Sequence, residues 1–211
     1  GTDLLEVATM ERRGLLPGNC QSGGCHGYAP LSWSPDGTLL MAGEFYPDGG
    51  SAGIVDPLED SPEFISAHGG GHGEWSPLGD TVCTTGLYGE PSGLFLSHAP
   101  TWQDTRDALE GNDQFDSSTA FVDDCVWLDG ERIAFTSQDT FGGASGVFSY
   151  DLTTDEVVQV YSIEGGCHDI VAMPDAPSVV YQPCTTRQRD TRPEIVNLQD
   201  GSRTPVLQAG D

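Results

Sequence analysis

Hydrophobic residues along this chain recur in short groups that either alternate with polar residues or are rich in β-branched side chains. Groups of this length and composition predict β-strands. Between the groups lie clusters of glycine, proline, aspartate and asparagine, which are typical of tight turns. The 28 glycines and 14 prolines among 211 residues favour many turns over long helices. The sequence therefore predicts an all-β protein.

The apolar pattern is organised as four copies of one hairpin. Each copy has a short apolar strand, a turn containing proline, aspartate or glycine, and a second apolar strand. The copies are 30-PLSWSPDGTLLMAGEFY-46, 72-HGEWSPLGDTVCTTGLY-88, 124-DCVWLDGERIAFTSQDT-140 and 170-IVAMPDAPSVVYQPCTT-186. Equivalent positions hold Trp33, Trp75 and Trp127 in the first three copies, and Ala172 or Met173 in the fourth.

Further strand signals follow each hairpin. The third strands are predicted at 51-56, 92-97, 145-151 and 193-198, and the fourth strands at 62-67, 156-162 and 203-208. In the second copy the matching stretch, 100-113, is longer and poorly patterned. Four strands in each unit of about 40 to 50 residues are the signature of a propeller blade.

The turn 33-WSPDG-37 and the apolar strand after it resemble the WD-like repeats of TolB-type β-propellers. The resemblance covers nearly the whole chain, from about Leu31 to Gln208. It implies a propeller scaffold that is usually extracytoplasmic and often serves protein–protein contacts. It implies no single activity, because fold-level likeness does not supply one.

We therefore predict a four-bladed β-propeller of four-stranded antiparallel blades, forming one domain over residues 1-211. The expected blades are roughly 26-67, 68-116, 119-163 and 166-208. Segment 3-11 is expected to be one more strand, which closes the ring by pairing with the last blade and protects its edge. The alternative is that the four blades are a fragment of a larger ring.

The charge of the chain is strongly negative. Thirty-three acidic residues face eight arginines and no lysine, which gives a net charge of −25. Nucleic acids and anionic membrane surfaces are repelled by such a protein and are excluded as partners. Two interpretations stay open: attraction of cations or basic proteins, and a solvated acidic coat that serves solubility or salt adaptation.

No apolar run is long enough to span a membrane. The sequence after Gly1 is polar and carries no leader peptide, so we expect any export signal to have been removed or omitted.

The six cysteines are predicted to form three disulfides. Cys20 and Cys25 are close enough to close a small ring, and Cys167 and Cys184 flank the turn 174-177 symmetrically, so they face each other across a hairpin. Cys83 and Cys125 remain as the third pair. Three disulfides indicate an extracytoplasmic setting, which is periplasmic, cell-surface or secreted. The alternative is six reduced, buried thiols.

Three of the five histidines lie directly before the predicted inner strands of their blades. In a propeller these positions crowd around one mouth of the central channel. They hold His26, His72 and His168, and the remaining blade supplies Asp123 and Asp124. Imidazoles with a carboxylate are suitable ligands for Zn²⁺ or Cu²⁺.

The predicted metal ligands are therefore His26, His72, Asp124 and His168. His68 matches the offset of His26 from its tryptophan better than His72 does, and is an alternative ligand. The competing interpretation is that each histidine forms a hydrogen bond within its own blade and binds nothing.

Trp33, Trp75 and Trp127 are predicted to pack between blades, and Trp102 is predicted to be the exposed aromatic residue. No nucleophile elbow, metalloprotease motif, P-loop or dinucleotide fingerprint is present in the sequence.

Three functions follow from these features. They are a binding module with a structural metal, a metalloenzyme with an open coordination position, and a metal-free interaction propeller. We favour the first, with a protein or small-molecule ligand on the histidine face of a monomer, and leave catalytic activity open.

Overall fold

The structure is a computed structural model. It describes residues 2–6, 11–21, 24–46, 49–67, 69–70, 72–86, 93–115, 120–139, 145–162, 168–174, 176–183 and 193–206. These residues form strands and turns and contain no helix. Among them, accordingly, no helix is long and apolar enough to cross a membrane.

The strands of the first half of the chain form a hairpin and two larger sheets. The hairpin consists of β1 (Thr2–Glu6) and β2 (Glu11–Leu16). The first large sheet, blade 1, consists of β3 (Asn19–Gln21), β4 (Gly24–Trp33), β5 (Leu40–Tyr46), β6 (Gly49–Val55) and β7 (Ile65–Ser66). Blade 2 consists of β8 (Gly73–Trp75), β9 (Thr81–Thr85), β10 (Leu94–His98) and β11 (Asp104–Asp107).

The second half of the chain forms two more sheets of four strands. Blade 3 consists of β12 (Ala120–Trp127), β13 (Arg132–Asp139), β14 (Gly146–Asp151) and β15 (Glu156–Ser162). Blade 4 consists of β16 (His168–Ala172), β17 (Ser178–Pro183), β18 (Glu194–Asn197) and β19 (Arg203–Pro205).

Within each blade, strands that are consecutive in the chain are neighbours in the sheet and run antiparallel. This meander confirms the predicted fold class, an all-β, four-bladed propeller of four-stranded antiparallel blades. Blade 1 departs from the pattern only in carrying β3 as a fifth strand on the far side of β4. The assignment of residues 1-211 to one domain with the stated blade limits stays a prediction.

The first residues of the chain differ from the single ring-closing strand expected over 3-11. The structure has two strands there, and β1 pairs with β2 from Thr2 opposite Leu16 to Glu6 opposite Glu11. Leu15 and Leu16 of β2 are buried against Leu40, Ala42 and Val55 of blade 1. The hairpin therefore gains its stability by burying apolar surface on blade 1.

The chain forms two compact units. The first comprises residues 1–90 and 95–106, which include the hairpin, blade 1 and most of blade 2. Its core includes Met41, Ile54, Ala67 and Val82, packed around Trp75.

The second unit comprises residues 91–94 and 107–211. Its buried side chains include Val126, Ile170, Val179 and Val196 from blades 3 and 4. A separate group of three phenylalanines, Phe115, Phe135 and Phe148, packs with ring centroids 5.2 to 5.5 Å apart.

Aspartates in the turns fix where many strands end. The carboxylate of Asp151 accepts hydrogen bonds from the hydroxyl of Thr153 at 2.6 Å and from its backbone N–H at 2.8 Å. Asp36 does the same for Thr38, and Asp200 accepts from the backbone N–H of Ser202. These local hydrogen bonds lower the pKa of Asp36, Asp151 and Asp200 below the ordinary value.

The tryptophans divide into buried and exposed residues. Trp75 and Trp127 are buried, each 5% exposed, as predicted. The prediction for Trp33 is wrong, because this side chain is 46% exposed. Trp75 packs on the preceding blade, where its indole N–H points to the carbonyl oxygen of Ser32 at 3.4 Å. Trp33 belongs to the first blade of its unit, so no preceding blade of that unit covers it.

The prediction that Trp102 is exposed is also wrong. Its side chain is 4% exposed and meets Trp75 edge-on, with ring centroids 5.3 Å apart. Its backbone φ of 59° lies in the left-handed region, which costs a bulky residue on the order of 1–3 kcal/mol. Packing against Trp75 compensates for that cost. The poorly patterned sequence around Trp102 did not indicate this burial.

The cysteines follow the expected pattern where the structure describes them. Cys83 and Cys125 are buried and disulfide-bonded. Cys20 lies opposite Cys25 in the pairing of β3 with β4, which is the placement that the predicted small ring requires. Cys167 and Cys184 lie outside the described residues, so their predicted bridge stays a prediction.

We expect Trp75→Ala to lower the free energy of unfolding by about 3–5 kcal/mol, because it leaves a large cavity against Trp102. Trp33→Ala changes the equivalent position of blade 1 and should cost about 1 kcal/mol or less, because that side chain is half exposed. Urea unfolding followed by circular dichroism measures both values. Equal losses in the two variants would contradict the burial assigned to Trp75.

The turn aspartates also predict a loss of stability in acid. Their pKa values are lower in the folded chain than in the unfolded chain, so on acidification the unfolded chain binds protons first. The stabilisation is complete above the ordinary Asp pKa of about 3.9 and is lost as the pH falls through the lower folded value. Urea unfolding at a series of pH values measures how the free energy of unfolding falls with pH. About 1 M salt in these experiments screens the net charge.

The variant Asp151→Asn should show a smaller loss of stability in acid than the wild type, because asparagine does not titrate but can still accept both bonds from Thr153. Asp113→Asn is the control, since Asp113 makes no hydrogen bond within the described residues. If the free energy of unfolding of Asp151→Asn falls with pH as steeply as that of the wild type, this turn contributes nothing to the acid sensitivity.

Candidate functional site

A cluster of polar and aromatic side chains centred on Glu44 lies on blade 1. We call it the Glu44 cluster, and its members are His26, Tyr28, Glu44, Tyr46 and Ser51. The strand register builds it, because Tyr28 lies opposite Glu44 in the pairing of β4 with β5, and Glu44 lies opposite Ser51 in the pairing of β5 with β6. His26 and Tyr46 are each two residues along their strands, so they share the face of Tyr28 and Glu44.

The carboxylate of Glu44 accepts four hydrogen bonds from this cluster. Oε1 accepts from Nε2 of His26 at 2.6 Å and from the hydroxyl of Tyr28 at 2.7 Å. Oε2 accepts from the hydroxyl of Tyr46 at 2.6 Å and from that of Ser51 at 3.2 Å. The Glu44 side chain is 15% exposed, so these donors replace most of the water that a carboxylate needs.

The hydrogen bonds determine the ionisation of the cluster. Burial raises the pKa of Glu44, but the bonds donated by Tyr46, Tyr28, His26 and Ser51 outweigh it, so the pKa is lowered. Burial, the bond to Glu44 and the negative charge of Glu44 raise the pKa of Tyr28 to about 12. The bond to Glu44 and burial also raise the pKa of Tyr46. At neutral pH the cluster therefore holds an ionised glutamate between two protonated tyrosines.

The ionised carboxylate fixes the tautomer of His26. An ionised carboxylate only accepts hydrogen bonds, so Nε2 of His26 must carry the proton. In the neutral imidazole the other nitrogen, Nδ1, is then a bare acceptor. Within the described part of the chain Nδ1 accepts no hydrogen bond, and the His26 side chain is 39% exposed. In its neutral form the ring thus carries a lone pair on Nδ1, on a side chain that is partly exposed to solvent.

Two tyrosine rings hold the imidazole in place. Tyr46 stacks on His26 with centroids 5.4 Å apart and an interplanar angle of 19°, and Tyr28 meets it edge-on at 5.1 Å. Tyr28 is itself packed against Phe64 at 5.2 Å. Contacts on two sides limit rotation of the ring, so the direction of Nδ1 is set before any ligand arrives.

The structure places the other predicted metal ligands as follows. His72 is exposed and belongs to the same unit as His26. Its side chain forms no hydrogen bond or ion pair with any described residue, whereas its carbonyl oxygen accepts from the N–H of Thr85. His168 pairs with Pro183 through the backbone, but its side chain and the whole of His68 lie outside what the structure describes.

Asp124 has a structural role within the second unit. Its Oδ2 accepts a hydrogen bond from the backbone N–H of Ile170 at 3.1 Å, and its Oδ1 accepts from the N–H of Cys125 at 2.9 Å. Ile170 is on β16, the edge strand of blade 4, so Asp124 of blade 3 satisfies a backbone donor of the neighbouring blade. Both of its oxygens are therefore already engaged.

No group of three or more His, Cys, Asp or Glu side chains within the described ranges is placed to hold a metal ion. The set His26, His72, Asp124 and His168 stays a prediction, because the His168 side chain is not described. The structure adds Glu44, Tyr28 and Tyr46, which sequence reasoning missed as partners of His26. In the sequence these residues are two positions apart on each strand, in 26-HGY-28 and 44-EFY-46, which places each pair on one face. That spacing indicates a contact between the two pairs only when the register of the strands is known.

The variant Glu44→Gln should lower the pKa of Tyr28 from about 12 part of the way towards its ordinary value of 10.0, because a charged acceptor is lost while burial remains. The near-ultraviolet absorbance of the phenolate measures this ionisation, and Tyr28→Phe identifies the signal. Glu63→Gln, at an exposed glutamate of the same blade, is the control. A Tyr28 signal that does not move in Glu44→Gln would contradict the hydrogen bond.

Neither a protein-family model nor a curated protein sequence matches this chain. Several solved structures do match. TolB from Acinetobacter baumannii superimposes with a TM-score of 0.60 at 16% identity, over 98% of this chain and 49% of that one. An oligogalacturonate lyase in complex with manganese gives a TM-score of 0.66 at 15% identity, over 98% of this chain and 59% of that one.

A putative TolB from Agrobacterium tumefaciens gives a TM-score of 0.60 at 16% identity, over 98% of this chain and 69% of that one. The chain thus spans about half of the Acinetobacter TolB and 59% of the lyase. At these identities the likeness concerns the fold alone. The resemblance expected from the sequence is confirmed at that level: this chain has the β-propeller fold of TolB-type proteins.

Proposed function

We propose that this chain is an extracytoplasmic binding propeller, and that the Glu44 cluster positions His26 to bind a divalent transition metal through Nδ1. The observation that carries the proposal is the 2.6 Å contact between Nε2 of His26 and Oε1 of Glu44. Histidines that bind metals usually donate their other ring N–H to a carboxylate or carbonyl, which fixes the tautomer and makes the ligand nitrogen more basic. His26 has this arrangement.

The rest of the cluster supports the same role. The His26 ring is pre-oriented by Tyr46 and Tyr28, so little conformational entropy is lost when a ligand binds. The negative charge of Glu44 is close behind the imidazole, and it stabilises a cation bound at Nδ1. A bare imidazole nitrogen favours Zn²⁺ or Cu²⁺ over Ca²⁺ or Mg²⁺, which prefer oxygen ligands.

Of the other predicted ligands, this proposal retains His72, which belongs to the first unit. Its side chain is exposed and forms no hydrogen bond or ion pair with a described residue. The proposal does not use Asp124, because both of its oxygens accept backbone N–H groups. Water or a bound ligand would complete the coordination of the metal. The proposed site therefore keeps an open coordination position, unlike the structural metal that the sequence favoured.

The charge and the cysteines support the remaining parts of the proposal. A net charge of −25 raises the local concentration of cations around the protein. The disulfide-bonded state of Cys83 and Cys125 fits an oxidising compartment. A lyase of similar fold was solved in complex with manganese, so Mn²⁺ belongs with Zn²⁺ and Cu²⁺ among the ions to test.

The experiment is elemental analysis of untagged protein that has been incubated with Zn²⁺, Cu²⁺ or Mn²⁺ and then desalted. We expect about one equivalent of Zn²⁺ or Cu²⁺ in the wild type, and a value near zero in His26→Ala. Glu44→Gln keeps His26 but replaces the carboxylate behind it with a neutral amide, so metal affinity should fall about 10–100-fold.

His98→Ala is the matched control. This histidine is on blade 2, and its Nδ1 is already bonded to the hydroxyl of Thr81 at 3.0 Å. Metal content should therefore be unchanged in His98→Ala, while His72→Ala and His168→Ala test the further ligands predicted from the sequence. Equal metal contents in His26→Ala and the wild type would overturn the proposal.

A further inference from the structure

Three turns meet at one end of the first unit. They are residues 34–39 after β4, residues 56–61 after β6 and residues 76–80 after β8, and together we call them the turn surface. The register places the first two side by side, because Trp33 pairs with Leu40 and Leu40 pairs with Val55.

The third turn contacts the first. A Cβ atom built on Gly79 would lie 3.3 Å from Cδ of Pro35, so the backbone of the third turn lies close to Pro35 of the first. The three turns are therefore neighbours on one surface.

The turn surface exposes large apolar side chains. Leu78 is 77% exposed and Leu58 is 74% exposed, and Trp33, the last residue of β4 next to the first turn, is 46% exposed. Pro35 and Pro77 are exposed as well. A single exposed leucine needs no explanation, but several apolar side chains at the same end of one unit are typical of an interaction site.

All charged residues within the three turns are acidic. They are Asp36, Asp56, Glu59, Asp60 and Asp80. Hydrogen bonds from Ser34 and Thr38 lower the pKa of Asp36, which keeps this carboxylate ionised in the middle of the first turn. The three turns thus carry exposed apolar side chains and five acidic residues, with no basic residue among them.

We propose that the turn surface is a docking site for a cationic, amphipathic segment of a partner protein. Apolar side chains of that segment would cover Trp33, Leu58 and Leu78, and its lysine or arginine residues would meet the surrounding carboxylates. Charge complementarity of this kind increases the association rate and selects the partner. A second copy of this chain would bring equal negative charges together, which disfavours self-association through this surface.

The inference is independent of the proposed metal site. The Glu44 cluster contributes no residue to the turn surface, and His26 and Trp33 lie near opposite ends of β4. Either proposal can therefore fail while the other holds.

The chain contains a built-in reporter for this surface. Trp33 is 46% exposed, whereas Trp75, Trp102 and Trp127 are 4 to 5% exposed. A ligand that covers the turn surface should shift the fluorescence emission of Trp33 to shorter wavelength and protect it from acrylamide. The three buried tryptophans contribute little to either change.

The experiment titrates the full chain with a synthetic peptide of alternating leucine and lysine, and separately with a matched peptide of leucine and glutamate. We expect saturable protection of Trp33 by the lysine peptide alone, with an affinity that falls as salt is raised. The variant Leu78→Ser removes one apolar contact and should weaken binding by about tenfold. Val171→Ser is the matched control, because Val171 is 62% exposed on blade 4, and its affinity should equal that of the wild type.

Several results would overturn the inference. They are an unprotected Trp33, equal binding of the glutamate peptide, and an equal loss of affinity in Leu78→Ser and Val171→Ser. Sedimentation of the protein without peptide is the final check. Concentration-dependent dimers in which Trp33 is protected would show that a second copy, and not a basic partner, occupies the surface.

Discussion

The antiparallel register of β4, β5 and β6 is the constraint on which the rest of blade 1 depends. It sets Tyr28 opposite Glu44 and Glu44 opposite Ser51. Because side chains alternate between the faces of a sheet, a slip of one residue would move Glu44 to the other face and away from its partners. The register also lines up the ends of β4 and β6, where Trp33 and Leu58 are exposed.

The register is held by apolar packing and by polar contacts. Leu40, Ala42 and Val55 are buried under the hairpin β1–β2, and displacing them would expose apolar area. Asp36 fixes the turn between β4 and β5 through its bonds to Thr38. The bonds of Glu44 then add a network that is satisfied in one register alone. Blade 1 therefore carries a polar site near the start of β4 and an acidic, apolar surface near its end, roughly 20 Å apart at the rise of a β-strand.

Much of the fold could be predicted from the sequence because its signals are local. Alternating apolar residues and Asp-Gly or Pro-Asp turns are contained in a few consecutive residues, and they located the hairpins of all four blades. The errors concern contacts between distant segments. Trp33 and Trp75 both begin a Trp-Ser-Pro turn, yet only Trp75 has a preceding blade in its unit, which covers it. Trp102 is buried by its contact with Trp75, 27 positions away, which no local pattern could indicate.

The candidate site was predictable only in part for the same reason. Position next to an inner strand identified His26, but Glu44 is 18 residues away and becomes its partner through strand pairing. Asp124 was expected to be a ligand because carboxylates bind metals. That role stays a prediction. In the structure Oδ2 of Asp124 accepts the N–H of Ile170, 46 residues further along the chain, and no local sequence pattern indicates that contact.

The most direct test of this account is the tautomer of His26, measured by long-range nitrogen–proton correlation of the imidazole rings in nitrogen-15-labelled protein. In the neutral imidazole at about pH 8 we expect His26 to carry its proton on Nε2 and to leave Nδ1 bare. The spectrum of Glu44→Gln should show this preference weakened, and His26→Ala assigns the signals. A His26 ring protonated at Nδ1 would contradict the pairing with Glu44 and remove the lone pair on which the proposed binding site depends.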